Sequence, residues 1–139
     1  MSFDLERFIR AQDHGATFER VLAELRAGAK RSHWMWFVFP QLAGLGGSDM
    51  SRRYAISGLA EARAYLDHPV LGPRLVESAR ALLGLPGTDP AAVLGPVDAQ
   101  KLRSSMTLFA AVAPADPVFR EVLERYFAGA DDEATTSRL

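Results

Sequence analysis

The chain contains no cysteine, which excludes disulfide bonds, zinc sites built from thiolates and a cysteine nucleophile. It also lacks an excess of charge of either sign, because 16 basic and 17 acidic residues leave a formal charge of −1. A chain without an excess of positive charge has no general attraction to nucleic acid or to an anionic membrane. The basic pairs Lys30-Arg31 and Arg52-Arg53 are short, so we interpret them as solvated faces and expect no nucleic-acid partner.

Long apolar runs are missing as well. None approaches the ~20 residues that span a bilayer, and the first residues are charged where a signal peptide would be apolar. We therefore predict a soluble, cytoplasmic protein with no membrane partner. A length of 139 residues with 48% apolar content is typical of one globular domain. We predict a single domain over residues 1–139, with a polar tail from about residue 130 that is mobile at its end.

Common catalytic and cofactor motifs are absent too. There is no Gly-x-Ser-x-Gly elbow, no phosphate-binding loop with its lysine and no dinucleotide-binding fingerprint. The histidines His14, His33 and His68 include no pair at the helical spacing that a metal site uses. We predict neither a metal nor a cofactor.

What the sequence does contain is apolar residues that recur at helical spacing in six or seven segments separated by short turns. This pattern predicts an all-α fold, a compact array of six to seven helices. The first predicted helix begins near Asp4, and the second ends at Gly28 after an apolar stripe that starts at Phe18. The others run from a cap at Ser32 to Pro40, from a cap at Ser51 to Asp67, from Leu71 to Gly84, over a single turn from Ala91 to Leu94 after a cap at Asp89, from a cap at Asp98 to Val112, and from a cap at Asp116 to Gly129.

The segment from Lys30 to Gln41 is the richest in functional side chains. It contains both tryptophans, Trp34 and Trp36, together with His33. One interpretation is that this aromatic part of the core reaches a pocket, where tryptophan stacks on a ligand and Gln41 orients it. The other is that these residues serve only as core.

A glycine-rich loop follows and includes Gly46, Gly47 and Ser48. Its backbone amides and the start of the next helix would suit an anion such as phosphate or carboxylate. The alternative is a plain flexible turn, since the loop matches no established phosphate-binding motif.

Further candidates lie on two predicted helices. Lys101, Ser104 and Ser105 follow helical spacing along the edge of an apolar stripe, where they would bind a ligand's oxygens or other groups of the protein. Glu61 and His33 are the nearest approach to a general acid and base pair, if both open onto one cavity. The alternative for Glu61 is an ordinary ion pair with a lysine or arginine.

Several blocks of residues carry a resemblance to a known family. They are, in chain order, Arg7-Phe8-Ile9, Ala11-Gln12, Lys30, His33-Trp34-Met35-Trp36-Phe37, Phe39-Pro40-Gln41, Tyr54-Ala55-Ile56, Glu61-Ala62, Tyr65-Leu66, His68-Pro69, Leu71-Gly72-Pro73-Arg74-Leu75 and Lys101-Leu102-Arg103-Ser104-Ser105-Met106-Thr107-Leu108-Phe109. The blocks span nearly the whole chain. In these blocks the sequence resembles domain-of-unknown-function family 1810. Only Pro73 departs from the usual pattern of the family, and this departure affects only the predicted position of a helix boundary.

The resemblance implies a small, soluble and mostly helical protein, in a family for which no activity is settled. A calpastatin-like label is attached to some such proteins. A calpastatin-type inhibitor is a long disordered chain, whereas the apolar stripes of this sequence are those of a folded core. The resemblance therefore adds support for the fold and leaves the function open.

From the residues we predict that the protein binds a small anionic or nucleotide-like ligand in an aromatic, polar-lined pocket. If the site also catalyses a reaction, the reaction to test is hydrolysis or transfer at a glycosidic or phosphate linkage. Glu61 or His33 would then act as the general acid or base. The predicted ligand-binding residues are Trp34, Trp36, Gln41, Gly46, Gly47, Ser48, Lys101, Ser104 and Ser105. The alternative function is a protein-interaction module without catalytic activity, whose partner the sequence does not identify.

Overall fold

A computed structural model describes residues 3–139, and over this part of the chain every regular element is a helix. The all-α prediction is confirmed. The helices are α1 (Glu6–Asp13), α2 (Thr17–Ala27), α3 (Met35–Val38), α4 (Asp49–Arg53), α5 (Leu59–Asp67), α6 (Leu71–Leu83), α7 (Pro90–Leu94), α8 (Pro96–Val112), α9 (Pro117–Phe127) and α10 (Glu133–Thr136).

The centre of the fold is α8, which packs against α5, α7, α9 and α10. Every residue from Ser104 to Ala110 is buried, so this part of the helix meets other elements on all sides. A helix in that position needs small and apolar side chains all round rather than one apolar stripe. The sequence meets this need with Leu102, Met106 and Phe109, which are fully buried.

A chain of aromatic rings connects α1, α5, α8 and α9. The centroids of Phe8 and Tyr65 are 5.0 Å apart with the rings edge to face. Tyr65 and Phe109 are 5.6 Å apart, and Phe109 and Phe119 are 5.8 Å apart. These spacings lie within the range of favourable aromatic pairs, so the column holds four helices together through the core.

The aromatic segment forms the short helix α3, as predicted, but not from Ser32. The predicted start at Ser32 is wrong because Glu24 occupies its polar groups. The Ser32 N–H and hydroxyl donate to the Glu24 carboxylate at 3.1 and 2.5 Å, so the hydroxyl caps no helix. The helix begins instead at Met35.

The predicted helix from Ser51 to Asp67 is divided in two. Its cap is Ser48, whose hydroxyl accepts the Ser51 N–H at 3.1 Å, and α4 ends at Arg53. The next residues extend, because the Ile56 N–H donates to the Gln41 carbonyl at 2.8 Å. A single parallel bridge between Leu42 and Ile56 results, and α5 begins beyond it. Long-range backbone pairing thus interrupts a segment whose apolar spacing is continuous.

Of the other predicted caps, two are confirmed and one is wrong. The Asp89 carboxylate accepts the Ala91 N–H at the start of α7, and the Asp116 carboxylate accepts the Val118 N–H at the start of α9. Each is followed by proline at the first helical position, where the missing N–H costs nothing. Asp98 caps nothing, since α8 begins at Pro96 and the Asp98 carboxylate pairs with lysines instead.

The C-terminal segment turns back onto α8 and forms α10. The Asp132 carboxylate accepts from the Gln100 side chain at 2.9 Å and from the Thr135 hydroxyl at 2.6 Å. Asp132 and Thr135 are both buried, which anchors the segment at two points. Mobility of the last residues stays a prediction. Within residues 3–139, no helix combines the length and apolar character needed to cross a membrane.

Candidate functional site

Three of the predicted site residues meet in one cluster. The carboxylate of Asp98 lies 2.9 Å from the Lys30 ammonium and 3.7 Å from that of Lys101. Each lysine also covers a tryptophan, with Lys30 at 5.0 Å from the centroid of Trp34 and Lys101 at 5.2 Å from that of Trp36. We call these five residues the tryptophan-lysine cluster. Trp34, Trp36 and Lys101 thus lie close together, while their role as ligand-binding residues stays a prediction.

The tryptophan rings of this cluster are already engaged within the protein. Trp34 is 1% exposed, and its indole N–H donates to Glu24 at 2.9 Å. Trp36 is half-buried beneath the Lys101 ammonium. His33 is exposed beside them and forms no hydrogen bond or ion pair within residues 3–139. A ligand would have to displace the lysines before it could stack on either ring.

Glu24 organises the chain that enters this cluster. Burial alone would raise its pKa. The hydrogen bonds from the Ser32 hydroxyl, the backbone N–H groups of Arg31 and Ser32 and the indole of Trp34 outweigh burial and lower the pKa to about 2. Because four donors converge on one carboxylate, residues 31 to 34 are held in one conformation.

The two serines of α8 differ in their surroundings. The Ser104 hydroxyl lies 2.9 Å from that of Thr135 in α10, so a group of the protein supplies its partner. The Ser105 hydroxyl is fully buried and has no hydrogen-bond partner within residues 3–139. Neither forms a polar contact with the other predicted site residues.

The glycine-rich loop folds tightly onto α4. A Cβ added at Gly46 would lie 2.5 Å from the Ser51 side chain, and the Gly47 carbonyl accepts from the Arg52 guanidinium. Ser48 caps α4, a helix of only five residues. Gln41 is half-buried and uses its carbonyl in the bridge to Ile56. This arrangement favours the plain-turn interpretation of the loop over an anion site.

Glu61 lies apart from all of these, in an ion pair. One carboxylate oxygen is 3.1 Å from the Arg7 guanidinium, and the other accepts the Ser57 N–H at 2.8 Å. The side chain is 4% exposed. With both oxygens occupied, Glu61 is arranged to balance the charge of Arg7, which is the alternative that the sequence left open.

The structure brings together a second set of residues that sequence reasoning did not select. A cavity of about 280 Å³ lies between α1 and the end of α4. We call it the arginine cavity; its lining residues are Arg7, Arg10, Ala11, His14, Arg53 and Tyr54. Three arginines and a histidine thus line one small space, and no acidic residue is among the residues that line it.

The three arginines differ in what neutralises them. Arg7 is held by Glu61 and donates to the carbonyls of Arg53 and Ala55 at 2.9 and 2.8 Å. Arg10 is exposed and lies 3.9 Å from Asp4, a weak surface pair. The Arg53 guanidinium stands 5.7 Å from the centroid of Tyr54 and has no hydrogen bond or ion pair within residues 3–139. The cavity therefore keeps positive charge that the protein does not compensate.

Part of this site had a signal in the sequence. Arg7, Arg10 and His14 follow a spacing of three and four residues, which places them on one face of α1. Arg53 was interpreted as a solvated residue, and its approach to α1 depends on where α4 ends. Arg7 and Arg53 are 46 positions apart, a separation that local patterns do not span.

Other parts of the described chain offer less chemistry. A groove of about 730 Å³ along α6 is lined mainly by apolar residues, among them Pro73, Val76 and Pro117. Its one arginine, Arg63, is paired with Asp67 at 3.7 Å. Within residues 3–139, no three His, Asp or Glu side chains gather as they would around a metal ion.

Comparison with solved structures finds a crystal structure of a conserved hypothetical protein from Mycobacterium tuberculosis. It has 49% sequence identity and a TM-score of 0.95, over 99% of this chain and 96% of that chain. Among curated proteins there is no significant match. The family model described as a protein of unknown function, DUF1810, matches residues 2–139. The chain therefore belongs to the DUF1810 family, the domain-of-unknown-function family 1810 that its sequence resembles.

Proposed function

We propose that this protein binds a small anionic ligand and that the ligand binds in the arginine cavity. The observation that carries the proposal is the unpaired Arg53 guanidinium, which shares one concave space with Arg7, Arg10 and His14. Guanidinium groups bind carboxylate and phosphate oxygens through paired hydrogen bonds. A nucleotide-like ligand would place its phosphate here.

The tryptophan-lysine cluster is the alternative binding site, because the sequence analysis predicted ligand binding at its tryptophans and at Lys101. Its lysines are already paired with Asp98 and cover the rings on which a ligand would stack. Binding there would first have to break two ion pairs, whereas the Arg53 guanidinium has no ion pair or hydrogen bond within residues 3–139 to break. This difference favours the arginine cavity.

A hydrolase or transferase role stays a prediction. Glu61 is paired with Arg7 and with the Ser57 N–H, and His33 forms no polar contact with it within residues 3–139. These contacts favour binding over proton transfer as the function to test first. The cytoplasmic location also stays a prediction, and it rests on the absence of cysteine.

The test is a thermal-unfolding titration with inorganic phosphate and with benzoate, at constant ionic strength so that general screening does not contribute. Ligand at about 100 times its Kd stabilises the folded state by about 2.7 kcal/mol. We expect Tm to rise with either probe, and Arg53→Ala to abolish the rise. The matched control is Arg20→Ala, an exposed arginine on α2 with no side-chain partner within residues 3–139.

Three outcomes contradict the proposal. If neither probe raises Tm in the parent protein, the cavity does not bind small anions. If Arg53→Ala and Arg20→Ala respond alike, the stabilisation is not specific to the cavity. If Lys101→Ala abolishes the rise and Arg53→Ala does not, the ligand binds at the tryptophan-lysine cluster. Absence of any rise together with co-purification of a protein would support the interaction-module alternative.

A further inference from the structure

We infer that the arginine cavity selects a phosphomonoester, a doubly charged phosphoryl group on one small organic group, over phosphodiesters and carboxylates. This inference rests on the proposed function and names the class of ligand for the same site. It depends on three features of the cavity: its uncompensated charge, the direction from which the arginines approach, and its size.

The charge of the cavity matches a dianion. Glu61 neutralises Arg7 through a buried ion pair, so Arg7 adds little net charge. Arg53 is unpaired, and Arg10 has only an exposed contact with Asp4 at 3.9 Å. Two guanidinium charges therefore remain for a ligand. A phosphomonoester carries close to two negative charges at neutral pH, whereas a phosphodiester or a carboxylate carries one.

The approach of the arginines suits a tetrahedral group. Arg10 belongs to α1, and Arg53 is the last residue of α4, so the two arginines line the cavity from different segments. Each planar guanidinium pairs with two oxygens of one anion. The three terminal oxygens of a phosphomonoester serve two such groups when one oxygen accepts from both, while the two oxygens of a flat carboxylate are taken up by one group.

The size of the cavity limits the rest of the ligand. At about 280 Å³ it is smaller than the pockets of roughly 300–1,000 Å³ that enclose drug-sized molecules. Beside the arginines, its lining residues are His14, Ala11 and Tyr54, whose side chains leave room for a single small ring. A larger ligand would enter with its terminal phosphate only.

The experiment compares three probes that share one aromatic group: phenyl phosphate, methyl phenyl phosphate and benzoate. Calorimetric titration at pH 8 keeps the monoester doubly charged, because its second ionisation is centred near pH ~6. We expect phenyl phosphate to bind at least about tenfold more tightly than the other two, as one additional charge-assisted interaction would provide.

Two substitutions identify the source of this preference. Arg10→Ala and Arg53→Ala should each reduce the affinity for phenyl phosphate about tenfold or more. Arg53→Ala should weaken benzoate binding as well, Arg10→Ala should leave it closer to the parent value, and Arg20→Ala should change neither. Both arginines are exposed, and circular dichroism confirms that the variants are folded. If all three probes bind equally, the inference is wrong although the proposed function stands. If none binds, the proposed function itself fails.

Discussion

Two charged side chains in this protein, those of Glu24 and Arg7, form several hydrogen bonds to backbone groups of irregular segments. Glu24 accepts hydrogen bonds from two backbone N–H groups, a hydroxyl and an indole, all within the segment before α3. Arg7 likewise donates to the carbonyl of Arg53 at the end of α4 and to that of Ala55 in the linker before α5. In both cases one side chain replaces the regular hydrogen bonds that an irregular segment lacks, which lowers the cost of burying it.

The first prediction concerns Glu24 and pH. Its pKa is lowered from the ordinary value of 4.5 to about 2, so the ionised form favours folding. The resulting stabilisation is complete above about pH 4.5 and is lost as the pH falls toward about 2. Glu24→Gln should reduce the free energy of unfolding by about 1–3 kcal/mol at pH 7, measured by urea denaturation, and the loss should shrink at pH 2.

The matched control for this prediction is Glu19→Gln on the same helix, where the side chain is exposed and has no polar partner within residues 3–139. We expect that variant to keep the parent stability within about 0.5 kcal/mol at both pH values. An equal loss for Glu24→Gln at pH 7 and pH 2 would contradict the role assigned to the carboxylate charge.

At the scale of elements, close helix packing depends on single small residues. Gly72 lies in the first turn of α6, where it meets the end of α5. A Cβ added there would lie 2.1 Å from the Leu66 carbonyl oxygen, which is backbone and has no flexible end to move away. The two helices approach closely because this position has no side chain.

Gly72→Ala is therefore expected to destabilise the protein by about 1–3 kcal/mol, since α5 and α6 must separate to admit the methyl group. Chemical denaturation measures the effect. The control is Gly87→Ala, because a Cβ at Gly87 would meet nothing within 4 Å and should change stability by less than about 0.5 kcal/mol. Equal stability of the two variants would mean that α5 and α6 adjust without cost.

Over the whole molecule, the Arg7–Glu61 pair connects segments that are distant in sequence. Glu61 is on α5 and Arg7 is on α1, so their ion pair joins the first helix to a helix from the middle of the sequence. Because the pair is largely buried, removing one partner leaves a charge without its counterion. Such losses cost about 3–5 kcal/mol in other proteins.

A double-mutant cycle tests this connection. Arg7→Ala and Glu61→Ala should each destabilise the protein, and the double variant should lose less than the sum of the two, with a coupling energy of about 1–3 kcal/mol. The control cycle uses Arg63 and Asp67, an exposed pair at 3.7 Å whose coupling should stay below about 0.5 kcal/mol. Comparable coupling in both cycles would show that burial does not strengthen the Arg7–Glu61 pair.

The candidate site was only partly open to sequence reasoning. Trp34 and Trp36 are two positions apart, and Lys101 was selected as a cation beside an apolar stripe, so their joint selection needed only local patterns. Arg10 and His14 share one face of α1, a signal that was present but not used. Arg53 had no such signal, because its place depends on the end of α4 and on the bridge between Leu42 and Ile56.

The sequence by itself determined the helical class and the caps at Asp89 and Asp116, because spacing and capping act over a few residues. Only the tertiary structure decided that Glu24 takes the polar groups of Ser32, that Asp98 faces lysines rather than a helix end, and that Arg53 joins Arg7 at one cavity. These contacts join groups from separate segments, and their energies arise only after the chain has brought those segments together.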